Sequence, residues 1–119
     1  MQVQSSIIDE TIEIVDKNGN TLRSIPFRLD MAAMVKDITE LRLKLGNMDK
    51  SDLEGVGKTT IDLFKAVLGE EAMAQVLDFY GDNYLALVTD LTPLMTDEVF
   101  PAIDDFREKL IANRKRLKK

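Results

Sequence analysis

A mainly helical domain with a small N-terminal β-hairpin, an α+β fold of four to five helices, follows from three features of the chain. An Asn-Gly pair lies between two β-favouring runs near the start. The spacing of apolar residues then changes from two to about three and a half after Phe27. Glycines at 46, 69 and 81 punctuate the remainder of the chain. At 119 residues the chain has the length of one domain, and its 45% hydrophobic and 31% charged residues are those of an ordinary globular protein. The expected organisation is a hairpin segment over 1–29, a helical domain over 30–112 and a basic tail over 113–119.

Each element has a local cause. The two strands include Thr11 to Val15 and Thr21 to Ile25, and Asn18-Gly19 suits the positive backbone angles of a two-residue hairpin turn. Pro26 marks a strand edge or exit, because proline cannot donate to a ladder. Asp30 caps a first helix with Met31, Met34, Val35, Ile38, Leu41 and Leu45 on one stripe, ended by Gly46-Asn47. Ser51-Asp52-Leu53-Glu54 reads as a capping box before a second helix with Ile61, Phe64, Val67 and Leu68, although Gly55 and Gly57 weaken its first turns. Gly69 stops it, and Glu70-Glu71 open a third helix carrying Met73, Val76, Leu77 and Tyr80 as far as Gly81. A short fourth helix from Asp82 includes Tyr84, Leu85, Leu87 and Val88. Thr92-Pro93 then reads as a cap with a first-turn proline, and a last helix from Thr96 or Asp97 carries Val99, Ile103, Phe106 and Leu110.

The residue inventory bounds the chemistry. Cys, His and Trp are absent, which removes disulfides, thiol nucleophiles, imidazole bases and nearly every zinc or transition-metal site. Gly55-Val56-Gly57-Lys58-Thr59-Thr60 imitates the end of a phosphate loop. The loop's first glycine is replaced by Asp52, however, and no hydrophobic strand precedes it, so a helix start is the better reading. The pairs Glu70-Glu71, Asp97-Glu98 and Asp104-Asp105 point apart on a helix and suit helix starts better than catalysis or cation binding. No enzyme, cofactor or metal is expected. Met31, Met34, Met73 and Met95 could furnish an adaptable groove, with plain core the commoner role at helical spacing.

Charge is unevenly spread. The net charge is −5, but Ala66 to Phe106 holds nine acids and no Lys or Arg, whereas Arg107 onward holds seven bases against Glu108. The acidic body disfavours nucleic acid, and the tail reads first as a solvated helix end whose bases complement the C-terminal dipole. That tail could also bind RNA, an acidic partner or the body of a neighbouring copy. The opening MQVQSSIIDETIEIVD lacks a positive n-region and a long apolar run, so neither a signal peptide nor a membrane span is expected and the cytoplasm is the expected location.

The stretch Ile61-Asp62-Leu63-Phe64-Lys65-Ala66-Val67-Leu68-Gly69-Glu70-Glu71-Ala72-Met73, followed by Val76-Leu77-Asp78-Phe79-Tyr80, resembles the tail assembly chaperones of long-tailed bacteriophages and of related prophages of Gram-positive bacteria. The order of parts is similar over residues 22 to 112: Phe27-Arg28-Leu29-Asp30, Ile38-Thr39-Glu40-Leu41, the Leu68-Gly69-Glu70 step, then Leu94 to Ile103 and a charged end. The resemblance implies a non-catalytic protein of the host bacterial cytoplasm, commonly a homo-oligomer. It would bind the tape measure protein and keep it soluble during tail assembly. It also implies a longer form made by ribosomal frameshifting near the gene's end, where Lys118-Lys119 suits a slippery run.

No residue-level binding motif comes with the resemblance. Charge and pattern point instead to the acidic face and to the stripes ending in Leu77, Tyr80 and Leu87, with Asp78 and Asp82 beside them, as the partner surface. Charge reversal of Asp78 and Asp82 is then expected to weaken capture without unfolding. Two other readings stay open: a phage structural subunit such as a tail-completion or connector protein, and a host regulatory binding module.

Overall fold

The computed structural model describes residues 5–117, with the side chains of Arg116 and Leu117 left aside. It shows the expected hairpin followed by helices: β1 (Ile7–Val15), β2 (Thr21–Asp30), α1 (Met31–Asn47), α2 (Leu53–Leu68), α3 (Glu70–Tyr80), α4 (Tyr84–Leu94), a π turn (Met95–Val99) and α5 (Phe100–Leu117). The expected domain parts 1–29 and 113–119 extend past the described residues at both chain ends. Lys118-Lys119, the expected slippery run, also lies outside them. No break marks position 112, because α5 runs through it.

β1 and β2 form a two-stranded antiparallel sheet. Pro26 lies inside β2, opposite Thr11; in a ribbon of two strands every second residue points its N–H away from the partner strand, and a proline is tolerated at such a position. The turn also differs from the two-residue expectation. Only Gly19 takes a positive φ, +83°, and its N–H donates to the Asp16 carbonyl at 3.0 Å while Asp16 N–H donates to Asn20. Lys17-Asn18-Gly19 is therefore a three-residue loop with glycine in the left-handed position. The Asp16 carboxylate accepts from the Asn18 and Asn20 amides at 2.8 and 2.9 Å, and these donors, Asn20 first, lower its pKa.

β2 alternates cleanly. Ile25, Phe27 and Leu29 face the core, and Arg23, on the same face, reaches α3, where it donates to the Gln75 carbonyl, pairs with Asp78 at 3.0 Å and lies over the Phe79 ring. The strand passes straight into α1 at Asp30, whose side chain accepts from the amides of Ala32 and Ala33 as a cap. The cap of α2 is Asp52, which accepts from Gly55 N–H, rather than Ser51, whose hydroxyl is bonded to Asp49. A Cβ on Gly55 would collide with that Asp52 carboxylate and with Met48, so the glycine makes room for the cap. Gly69, at φ +86°, ends α2 and opens α3, and Gly81, at φ +59°, ends α3.

The last two helices are where expectation and structure part most. Thr92-Pro93 does not start a new segment: Pro93 lies within α4, and α4, the π turn and α5 form one continuous helical run from Tyr84 to Leu117. The reason is the spacing of the core face. Leu87, Leu91, Met95, Val99 and Ile103 are all buried and recur every fourth residue. In an α-helix such a row drifts by about 40° per step, enough to turn off the core within a few turns. A π turn, with Phe100 N–H donating to the Met95 carbonyl, widens the coil and returns Val99 and Ile103 to the core side. Pro93, near the end of α4, and Pro101, near the start of α5, bracket it, each removing one donor from the helical ladder.

One core joins all these elements: Ile25, Phe27 and Leu29 from β2, Met31 and Ile38 from α1, Leu63, Phe64, Val67 and Leu68 from α2, Ala72, Met73 and Val76 from α3, and the every-fourth row. Of the four methionines considered as groove residues, Met31, Met73 and Met95 are buried core and Met34 packs against it. Arg42 of α1 clamps α5 by pairing with Asp104 at 2.8 Å and stacking 4.4 Å over the Phe100 ring. Past Phe106 no side chain is buried among the described residues: Arg107 to Lys115 are all exposed, with Arg107, Leu110, Ile111 and Arg114 facing α1 across an open gap. The radius of gyration, 16.2 Å, accordingly exceeds the about 13.5 Å of a compact chain this long.

Candidate functional site

The five residues singled out in the sequence do not form one surface. Leu87 is 0% exposed and belongs to the core row, so it is corrected out of the partner surface; α4 is apolar on two sides, and pattern alone could not tell Leu87, inside, from Leu85, outside. Asp78 and Tyr80 face the hairpin side of α3. Asp78 is held by Arg23. The Tyr80 hydroxyl donates to Asp90 of α4 at 2.7 Å, and burial, then that bond, hold its pKa well above the ordinary 10.0. Both tie elements together. Asp82 stays exposed in the α3–α4 turn, and Leu77 faces α2 instead.

That second side holds an apolar groove. It has a volume of about 510 Å³ and runs between the first turns of α2 and the facing parts of α3 and α4. Leu53, Ile61, Leu77, Tyr84 and Val88 line it, and Glu54, Asp62 and Lys58 stand on its rim. Leu53 is 79% exposed and Tyr84 55%, large apolar groups left in water although a core lies beside them.

Gly57 explains why the groove is open. It sits inside α2, where glycine costs about 1 kcal/mol relative to alanine, and a Cβ there would meet nothing within 4 Å. Its missing side chain is space in the groove rather than room for a neighbour. The sequence signal was present in the two glycines of Gly55-Val56-Gly57, but their purposes differ: Gly55 admits a cap, and Gly57 leaves a cleft.

The phosphate-loop imitation occupies these same turns as regular helix. Thr59 is buried, and the Thr60 hydroxyl donates to the Val56 carbonyl at 2.8 Å. Among the described residues no group of three or more acidic side chains is placed to hold a metal ion, and no helix is long and apolar enough to cross a membrane. The groove thus offers shape, apolar area and a mixed charged rim, the means of binding an amphipathic helix. No protein-family model matches the chain, and no curated protein or solved structure is similar to it at a significant level.

Proposed function

We propose that the protein is a binding module for helical protein segments, and specifically a tail assembly chaperone that covers apolar stripes of the tape measure protein until the tail tube forms around it. The observation that carries the binding reading is the open α2/α3–α4 groove, with Leu53 and Tyr84 exposed at its mouth and Gly57 leaving its floor clear. A long helical client exposes rows of apolar side chains at i, i+3, i+4 and i+7, and a groove of this kind takes two or three of them at a time. The tape measure identity rests on the resemblance of residues 22 to 112.

Co-expression with the longest helix-patterned protein encoded beside this chain's gene tests both parts. The expected result is a soluble complex that rescues an otherwise insoluble partner and disappears with Gly57→Trp, which fills the groove from open space. Rescue that survives Gly57→Trp removes the groove. No rescue, with the protein instead found in purified phage particles, replaces the chaperone with a structural tail subunit such as a tail-completion or connector protein.

A further inference from the structure

We infer that the exposed end of α5 is an intermolecular occupant of the groove: the arm of one copy docks between α2 and α3–α4 of another and competes with the client there. The client half of this inference rests on the proposed chaperone reading; the self-association half does not.

The arm carries both chemistries that the groove asks for. Ile103, Phe106 and Leu110 continue one helical face, and where the body ends that face runs on into water, with Leu110 41% and Ile111 50% exposed. With Arg107 and Arg114 these two residues line an open gap of about 580 Å³ against Val35, Lys36, Thr39 and Glu40 of α1. From Arg107 onward the chain is strongly basic, whereas Ala66 to Phe106 carries nine acids and no base. The groove rim supplies Glu54 and Asp62 against Lys58. An apolar strip edged with cations thus matches an apolar cleft whose rim carries two acids against one base.

The arm cannot reach its own groove. Tyr84 and Val88 of the groove stand at the start of the continuous helical run that ends in the arm, so about 40 Å of helix holds the two apart. Among the described residues, none from α5 lines the groove. Docking must therefore occur between copies, arm to groove, a contact between two different patches that propagates head to tail or closes into a ring.

Two full-length variants separate donor from acceptor. Leu110→Asp with Ile111→Asp spoils the arm at exposed positions and leaves the groove intact; Gly57→Trp blocks the groove and leaves the arm intact. Size exclusion with light scattering should show wild type associating with rising concentration and dissociating as salt rises from about 0.05 M to about 0.5 M. Each variant alone should be monomeric, and the two mixed should give a one-to-one heterodimer. A monomeric wild type, or self-association that persists in either variant, overturns the inference. Circular dichroism checks that both variants fold, and Arg114→Glu mixed with Glu54→Lys provides a second pair in which mixing restores association.

The competition is read separately, as retention of the co-expressed client. The arm-spoiled variant should bind the client several-fold more tightly than wild type. Equal binding by the two overturns the competition, while no client binding by any variant with self-association intact overturns the chaperone reading instead.

Discussion

The two ends of the helical run from Tyr84 to Leu117 are built from similar residue types and meet opposite fates. In the first half Leu87, Leu91, Met95, Val99 and Ile103 disappear into the core, and the exposed charges there are all acidic. In the second half Leu110 and Ile111 stand in water among bases. Helix propensity does not separate them, since both halves are helical. What separates them is how closely a partner face within the same chain approaches: the first half joins the common core, while the second faces α1 only across an open gap. The stability of this protein should therefore reside in one half and its association in the other.

The largest expected effect tests that division. Leu87→Ala or Leu91→Ala should cost about 3 kcal/mol in urea unfolding, by cavity formation in a closed core. Leu110→Ala, measured at protein concentrations low enough to keep the chain monomeric, should change stability by less than about 0.5 kcal/mol. Equal losses at the two sites would show that the arm is packed in solution.

The two glycines of α2 provide the next contrast. Gly55→Ala should destabilise by about 1 kcal/mol by displacing the Asp52 cap, despite alanine's better helix propensity. Gly57→Ala should stabilise by up to about 1 kcal/mol, because nothing opposes the added methyl. Thermal melts of the two variants moving in the same direction would contradict the separate purposes assigned to them.

A smaller effect belongs to Tyr80. Tyr80→Phe removes one hydrogen bond between α3 and α4 and should cost about 1 kcal/mol near neutral pH. Because the folded pKa is raised above 10.0, the neutral phenol is the form favoured by folding. Its contribution is thus complete below pH 10.0 and fades as pH climbs above that toward the folded value. Unfolding measured between neutral and strongly alkaline pH should show the gap between wild type and variant narrowing. A constant gap would show that folding does not raise the Tyr80 pKa.

Elements governed by nearby residues are legible in the sequence. Asp30 at the start of α1, the Gly69 step and the Gly81 stop depend on a few neighbouring atoms, and the structure has them where the sequence predicts. Thr92-Pro93 misleads because a proline's local meaning is a break, while the every-fourth core row, also visible in the sequence, demands continuity through a widened turn. The long-range requirement prevails. The groove is harder to foresee. Of its lining residues, charge and pattern point only to Leu77 as partner surface, because Leu53, Gly57 and Tyr84 come together only when α2 folds across α3 and α4.

Hydrogen exchange on the protein alone and in complex with its co-expressed helical partner tests the groove most directly. New protection should appear in 53–61 and 77–88 and leave the hairpin loop at 16–20 unchanged. A stable complex whose protection falls elsewhere, on the hairpin or along α1, would contradict the assignment of the binding surface to the α2/α3–α4 groove.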